Sequence, residues 1–180
     1  MKNIETAFEI MPAIVKERVA AGNLSWYSLP NVNELLSKLV GRNDVKLGIL
    51  TGNLYDIAMI KLETAGINPD HFKEKDGRLF GAFGSDAFAR DELVRVARRR
   101  YSELLGQAVE PNDLVIIGDS PKDISCAHNN GSPCIAVDTG FFDAQQLGHA
   151  DFVLQGGFKG LDLTVKALVE TMHEPPEVEK

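Results

Sequence analysis

Residues 114–123 read LVIIGDSPKD, and this stretch decides the fold class. Its four apolar residues predict a buried strand. Pro121 then occupies the position of a first helical residue, so a helix is expected directly behind the strand. The same order recurs along the chain, and further strands are predicted at residues 45–50, 78–83, 134–137 and 151–154. Strands that alternate with helices indicate a three-layer α/β/α fold with a parallel sheet covered on both faces.

Helices are predicted from the spacing of apolar residues and from the residues that begin and end them. Asn31 is expected to cap the second helix together with Glu34, and Asn53 is expected to cap the third. The arginines at positions 95 and 98–100 are expected to form a solvated face of the fourth helix. The predicted helices span residues 3–21, 31–40, 53–65, 91–105, 121–131, 143–147 and 161–172.

Composition narrows the range of partners. The 180 residues are 44% hydrophobic and 25% charged, as in an ordinary globular domain. The formal net charge of −7 disfavours nucleic acid as a partner. No apolar run approaches the ~20 residues of a membrane helix, so no membrane partner is expected. Cys126 and Cys134 are too few for a disulfide framework, which indicates a reducing, cytoplasmic compartment. The composition does not specify an oligomeric state.

Ligands of parallel α/β sheets bind beyond the carboxyl ends of the strands, so the residues after each predicted strand are the candidates for function. The group formed by Thr51, Gly52 and Asn53 can bind phosphate or another oxyanion. It offers a hydroxyl, a glycine that lets the backbone approach a ligand, an amide and the start of a helix. A capped helix behind a tight turn explains the same residues equally well. The candidates are Thr51, Gly52 and Asn53, then Asp119, Ser120 and Asp123, then Asp138, Thr139 and Gly140.

Asp119 and Asp123 place two carboxylates one helical turn apart behind a very apolar strand. Magnesium prefers such hard oxygen ligands and retains several of its waters. Asp123 also has a purely structural interpretation, since Ser120 and Asp123 form the pattern of a capping box. Asp119 is harder to explain in that way, because Ser120 already caps the helix. A carboxylate at the end of a buried strand needs a partner, and a cation would supply one.

Two of these stretches carry a resemblance to a known family. Residues 50–53, LTGN, followed by residues 118–123, GDSPKD, resemble the second and fourth motifs of the haloacid dehalogenase (HAD) superfamily, in its phosphatase branch. The resemblance covers roughly residues 29–155. Residues 61–67, 81–86, 126–128, 131, 135–137 and 139–140 are similar to the bacterial phosphoglycolate-phosphatase-like members.

The resemblance implies a Rossmann-like core and a phosphatase that acts through an aspartyl-phosphate with magnesium. It implies a small phosphorylated metabolite as substrate, with 2-phosphoglycolate as the expectation at the level of the family. Thr51 would hydrogen-bond the transferred phosphoryl group, with Gly52 and Asn53 beside it. Asp119 would hold Mg²⁺, and Asp123 would support the ion or position its waters.

A third motif should supply a basic residue before a helix. Arg90 is the best match, and a surface arginine at the start of a helix is an equally good interpretation of it. The first motif is an apolar strand that ends in Asp-x-Asp, whose first aspartate attacks phosphorus and whose second is general acid and base. Before Leu50 the only aspartate is Asp44, which precedes a predicted strand. Asp138 is rejected as a permuted nucleophile, because Gly140 occupies its second acidic position.

The resemblance therefore predicts that the central, nucleophile-bearing strand is missing and that the chain is truncated at its N-terminus. Residues 1–28 are expected to be a remnant of a helical cap, residues 29–172 the core domain and residues 173–180 a disordered tail. The strands ending at Leu50 and Ile117 should either pair directly or leave a gap of about two strand spacings, roughly 10 Å. The chain alone should be inactive. The alternatives are a non-catalytic pseudoenzyme that binds magnesium and an anion, or a fragment of a gene model.

Overall fold

Helices and parallel strands alternate in the computed structural model, which describes residues 2–159 and 165–166. The α-helices are α1 (Lys2–Ala20), α2 (Val32–Val40), α3 (Tyr55–Thr64), α4 (Arg90–Leu105) and α5 (Pro121–His128), with single 3₁₀ turns at Pro69–Phe72 and Pro111–Asp113. The strands are β1 (Ile49–Leu50), β2 (Gly81–Ala82), β3 (Ile116–Gly118), β4 (Cys134–Val137) and β5 (Phe152–Leu154). The predicted α/β fold with parallel strands is confirmed.

The strands form two separate parallel groups. In one group β1 pairs with β2, and in the other β3 pairs with β4, which pairs with β5. Within the described part of the chain, β1 and β3 do not pair with each other, and no residue between 2 and 30 forms a strand. Of the two arrangements expected from the sequence, direct pairing is therefore ruled out.

Strand β4 shows how helices cover both faces of the larger group. Its four side chains are all buried. Cys134 and Ala136 pack with residues of α4 and α5 on one face, and Ile135 and Val137 pack with residues of α2 on the other. This alternation is the period-two pattern of a strand, and burial on both sides explains why the sequence of β4 is uninterruptedly apolar.

The strands next to the gap are shorter than predicted. Residues 45–50 were expected to form a strand, and only Ile49–Leu50 does so. Likewise β3 begins at Ile116 instead of residue 114. A segment becomes a strand only where a neighbouring backbone pairs with it, and β1 and β3 each have such a neighbour on one side alone.

Both predicted asparagine caps are wrong. Asn31 has a left-handed backbone, with φ 68°, and its side chain donates to the carbonyl of Phe158 at 3.0 Å instead of capping α2. Helix α3 begins at Tyr55 behind Leu54, so the amide of Asn53 is free for other contacts. Asn31 bonds to a residue far along the chain and Asn53 bonds to the neighbouring Thr51, so neither side chain makes the expected helix cap.

The short helix predicted at residues 143–147 does not form. Asp143 and Gln146 exchange hydrogen bonds between side chain and backbone, as helix-start residues do, but the segment continues as turns. The helix predicted at 161–172 lies outside the described residues except for 165 and 166, which are helical, and the predicted tail at 173–180 lies wholly outside them.

A cavity of about 270 Å³ lies between the two groups of strands. Residues 45–50 line one side and residues 113–117 the other, while Leu35 and Leu39 of α2 and Ala97 of α4 contribute to its walls. Ile117, in the middle of β3, is 42% exposed. This apolar cleft separates the strand ends that carry the candidate residues.

Candidate active site

The loop after β1 is built around the hydroxyl of Thr51. The Thr51 Oγ1 atom accepts hydrogen bonds from the backbone N–H of Asn53 at 3.1 Å and from its side-chain amide at 2.7 Å. With both lone pairs used in this way, the hydroxyl proton remains available to donate to a ligand. The sequence assigned Thr51, Gly52 and Asn53 to one group, and the structure holds them in one tight turn.

Gly84 fixes this turn from the side. Its N–H donates to the carbonyl of Asn53 at 2.8 Å. A Cβ atom at position 84 would lie 2.0 Å from the carbonyl oxygen of Gly52, so only glycine fits there. The loop after β2 therefore holds the loop after β1 in place by backbone contact.

Lys61 is a residue of the site that the sequence analysis did not single out. Its Nζ donates to Asn53 Oδ1 at 3.1 Å and lies 5.1 Å from the centre of the Trp26 ring. Lys61 therefore orients the amide that in turn holds the Thr51 hydroxyl. The sequence gives only a weak indication of this contact, since Lys61 lies on the helix that directly follows the Thr51 loop.

Asp123 is buried, with 7% of its surface exposed, and both of its oxygens are engaged. Oδ2 accepts from the Ser120 hydroxyl at 2.6 Å, from the Ser120 N–H at 3.1 Å and from the Asp119 N–H at 3.2 Å. The predicted capping box at the start of α5 is confirmed. Gly118 makes room for it, because a Cβ there would lie 2.3 Å from the Cβ of Asp123.

Arg90, the first residue of α4, forms an ion pair with Asp123, with 3.2 Å between its guanidinium nitrogen and Oδ1. Helix α4 follows β2 and helix α5 follows β3, so this pair places the carboxyl ends of β2 and β3 on the same side of the molecule. Strand β1 is parallel to β2 and ends on that side too. The loop of Thr51 and the loop of Asp119 therefore belong to the same edge.

Asp119 differs from Asp123 in having no partner among the residues that the structure describes. Its side chain is exposed, and no hydrogen bond or ion pair reaches its carboxylate from residues 2–159 or 165–166. The loop after β4 comes close to it, since a Cβ on Gly140 would lie 2.7 Å from Asp119 Oδ2. Asp138, in the same loop, accepts a hydrogen bond from the Gly156 N–H through Oδ1, which is a structural role.

Asp119 and Asp123 are the two carboxylates at this edge that could contribute to a magnesium site. The described residues contain no group of three or more His, Cys, Asp or Glu side chains that converges on one point. Magnesium is commonly held by one or two carboxylates together with waters. Asp119 fits as one such ligand, because no residue in the described part of the chain bonds to its oxygens. Asp123 fits as the residue that fixes the backbone before α5, since hydrogen bonds and Arg90 already use its oxygens.

The predicted solvated arginine face of α4 is wrong for Arg100. Its guanidinium donates to both oxygens of Asp86, at 2.7 and 2.9 Å, and to the carbonyl of Gly81 at 2.7 Å. Burial alone would raise the pKa of Asp86, but the hydrogen bonds from Arg100 and from the Phe83 N–H outweigh it and hold that pKa below its ordinary value. Arg100 thus clamps α4 onto β2, beside the loop that supports Thr51.

The fold and the site together define an α/β domain of the kind that binds ligands at the carboxyl edge of parallel strands. Residues 1–128 match the haloacid dehalogenase-like hydrolases, and the chain belongs to that family. No curated protein matches the sequence. None of the helices in the described part of the chain has the length and apolar character needed to cross a membrane.

Two solved structures share the fold. One is the crystal structure of a predicted phosphatase from Clostridium acetobutylicum, with 23% identity and a TM-score of 0.55, matched over 78% of this chain and 59% of that one. The other is the X-ray structure of a target of the Northeast Structural Genomics Consortium, with 24% identity and a TM-score of 0.56, matched over 78% of this chain and 42% of that one. The chain therefore spans less than two thirds of the length of either protein.

Proposed function

We propose that this chain carries the phosphate-binding and magnesium-binding part of a phosphatase site. The observation that carries the proposal is the ion pair between Arg90 and Asp123, which joins the ends of two strand groups at one edge. The same edge carries Asp119, a carboxylate with no partner among the described residues, and Thr51, a hydroxyl with a proton to donate. A cation site, a basic residue and an oxyanion donor at one edge are the components that phosphoryl transfer requires.

Each residue has a specific role in the proposal. The Thr51 hydroxyl donates to a phosphoryl oxygen, Gly52 lets the backbone approach that group, and Asn53 orients the hydroxyl. Arg90 balances the negative charge near the phosphoryl group. Asp119 would hold Mg²⁺, which supplies electrostatic stabilisation of the phosphoryl oxygens when it is bound.

Asp123 acts through its neighbours in this scheme. Its hydrogen bonds to Ser120 and to the Asp119 N–H hold the backbone that presents Asp119. Its ion pair sets the position of Arg90. The substrate is a small phosphorylated metabolite, and a 2-phosphoglycolate-like compound is the specific expectation.

The covalent route needs an attacking carboxylate between Thr51 and Asp119. No strand of the described residues ends in an aspartate at that place, and Asp138 is engaged with Gly156. We therefore expect the chain alone to bind magnesium and phosphate without turnover. The same observation favours a second candidate function, a binding module that holds an anion and a cation and has no catalytic activity.

A cytoplasmic location is part of the proposal. Cys126 and Cys134 are buried free thiols. Burial, with the carboxylates of Asp123 and Asp151 adding to it, raises the pKa of Cys134 to about 12, so this thiol is unreactive in the folded protein. Buried free thiols are typical of proteins in a reducing compartment.

The test combines a binding measurement with a phosphate-release assay on the pure chain. Inorganic phosphate with Mg²⁺ should bind weakly to the wild type by calorimetry, and Thr51→Val should weaken that binding about tenfold, since a hydrogen bond to a charged group is worth about 1.5 kcal/mol. No phosphate should be released from an aryl phosphate or 2-phosphoglycolate. Absence of phosphate binding would contradict the proposed site. Turnover that Asp119→Ala abolishes would show that a nucleophile is present and unidentified.

A further inference from the structure

We propose that Lys61 is a positioning residue of the anion site, which sets the direction in which the Thr51 hydroxyl donates its hydrogen bond, and that Trp26 holds Lys61 in place for this role. The effect on phosphate binding rests on the proposed function, whereas the direction of the hydrogen bonds does not. Trp26 lies in the segment between α1 and α2, so the proposal adds this segment to the support of the site.

The side-chain amide of Asn53 can face Thr51 in two ways, because an amide carries an acceptor oxygen on one side and a donor nitrogen on the other. With Nδ2 towards Thr51, the hydroxyl accepts a hydrogen bond and keeps its proton for a ligand. With Oδ1 towards Thr51, the hydroxyl donates to the amide, and its proton is no longer available. The orientation of this one amide therefore decides whether Thr51 can donate to an oxyanion.

Lys61 selects between the two orientations. Its ammonium group has donors and no acceptor, and its Nζ lies 3.1 Å from Asn53 Oδ1. A rotated amide would present its own N–H donors to the ammonium group, and no hydrogen bond could form between them. Only the orientation that places Nδ2 2.7 Å from Thr51 Oγ1 satisfies both contacts.

The positive charge of Lys61 acts on this amide without a competing carboxylate. Within the described part of the chain, the contacts of Lys61 are Asn53 and the ring of Trp26, and no Asp or Glu pairs with it. A hydrogen bond from a charged donor is stronger than one between neutral groups, and successive hydrogen bonds polarise one another. From Lys61 through Asn53 to Thr51, each group donates towards the anion site.

Trp26 confines the lysine side chain near Asn53. The Nζ atom of Lys61 lies 5.1 Å from the centre of the Trp26 ring, and the face of an indole attracts a cation. The backbone N–H of Ser28 donates to the carbonyl of Ala65 at 3.3 Å, which ties the segment that carries Trp26 to the end of α3. A long lysine side chain loses conformational entropy when it is held, and the ring offsets that cost.

The first experiment needs no ligand and uses Lys61→Met, which removes the donor, and Lys61→Arg, which keeps a charged donor. Lys46→Met is the matched control. Lys46 Nζ lies 5.6 Å from the centre of the Phe80 ring and donates to a backbone carbonyl at 3.5 Å, in the segment that leads into β1. This control removes the same charge and the same kind of aromatic contact away from Thr51. All variants are checked by urea unfolding.

Proton–nitrogen correlation spectra report on the side-chain amide of Asn53, whose signal is identified by its absence in Asn53→Asp. In the wild type this signal should be displaced from the ordinary position of a side-chain amide, because both ends of the group are hydrogen-bonded. It should stay displaced in Lys61→Arg and Lys46→Met and return towards the ordinary position in Lys61→Met. A signal that Lys61→Met leaves unchanged would overturn the proposal.

The second experiment measures binding of inorganic phosphate with Mg²⁺ by calorimetry in a double-mutant cycle. Lys61→Met should weaken binding by up to about tenfold, and by no more than Thr51→Val does, since it acts through that hydroxyl. Lys61→Arg should stay within about threefold of the wild type, and Lys46→Met should leave binding unchanged. In the Thr51→Val background, Lys61→Met should change binding by less than about twofold. Equal weakening in both backgrounds would show that Lys61 acts directly on the anion, which overturns the proposal.

The role of Trp26 is tested in the same way. Trp26→Leu should weaken phosphate binding by about threefold, because it releases the lysine without removing it. Combined with Lys61→Met, it should cause no further loss. A further loss in the double variant would overturn the assignment of Trp26 as a residue that acts through Lys61.

The two experiments separate this proposal from the proposed function. If the Asn53 signal moves in Lys61→Met and the wild type binds no phosphate, the role of Lys61 is retained and the proposed function is contradicted. If the wild type binds phosphate and Lys61→Met binds it equally well, the phosphate site is retained and the role of Lys61 is overturned.

Discussion

The two aspartates one turn apart should behave in opposite ways when each is replaced by alanine. Asp123→Ala removes a buried carboxylate that accepts from the hydroxyl and N–H of Ser120 and from the N–H of Asp119, and that also pairs with Arg90. Asp119→Ala removes an exposed carboxylate to which no described residue is bonded. Asp123→Ala should therefore lower the stability of the fold, whereas Asp119→Ala should lower only the binding of Mg²⁺.

The size of the Asp123 effect follows from its contacts. Loss of a helix cap costs about 1 kcal/mol. Donors left buried without an acceptor add about 1 to 2 kcal/mol. The Arg90 pair adds about 0.5 kcal/mol at most, because 40% of the arginine side chain is exposed to solvent. The total is about 3 kcal/mol, while Asp119→Ala should stay within about 0.5 kcal/mol of the wild type.

Urea unfolding followed by circular dichroism measures the difference. With a slope of about 2 kcal/mol per molar urea, the midpoint should fall by about 1.5 M in Asp123→Ala and by less than about 0.3 M in Asp119→Ala. Ser120→Ala, which removes one of the donors, should lie between the two variants. Equal midpoints for the two aspartate variants would refute the argument that only one of the carboxylates is structural.

Two further predictions concern the support of the site. Gly84→Ala should lower the free energy of unfolding in urea by about 2 kcal/mol or more, because the new Cβ would lie 2.0 Å from the carbonyl oxygen of Gly52. Gly41→Ala is the control, since the nearest atoms would lie 3.8 Å from its Cβ. Equal urea midpoints for the two variants would contradict the prediction. The pKa of Asp86 is lower in the folded protein than in the unfolded chain, where it is about 4. Its ionised carboxylate therefore stabilises the fold above about pH 4, and this contribution to stability is lost as the pH falls through the lower folded pKa. Asp86→Asn should therefore flatten the loss of stability between pH 5 and about pH 2, and an unchanged slope would show that Arg100 does not hold this carboxylate.

The sequence by itself determined the alternation of strands and helices and the residues at the strand ends. Residues 134–137 were predicted as a strand and form β4 with those bounds. The prediction was possible because a strand buried on both faces is an uninterrupted apolar run in the sequence. The capping box of Ser120 and Asp123 could likewise be predicted from the sequence, since it depends on contacts within one helical turn. Thr51 could be recognised as a candidate because parallel strands place the residues after them at one edge.

Only the tertiary structure decided which of these groups are used and which are free. Asn31 bonds to Phe158, 127 residues away, and Arg100 bonds to Asp86, so neither partner could be read from local spacing. Asp119 and Asp123 look alike in the sequence, yet a half-exposed arginine from α4 pairs with Asp123 and not with Asp119. The separation of β1 from β3 was also decided at this level. Pairing between strands depends on backbone edges that residues far apart in the chain bring together, and a pattern along one segment does not record whether its neighbour is present.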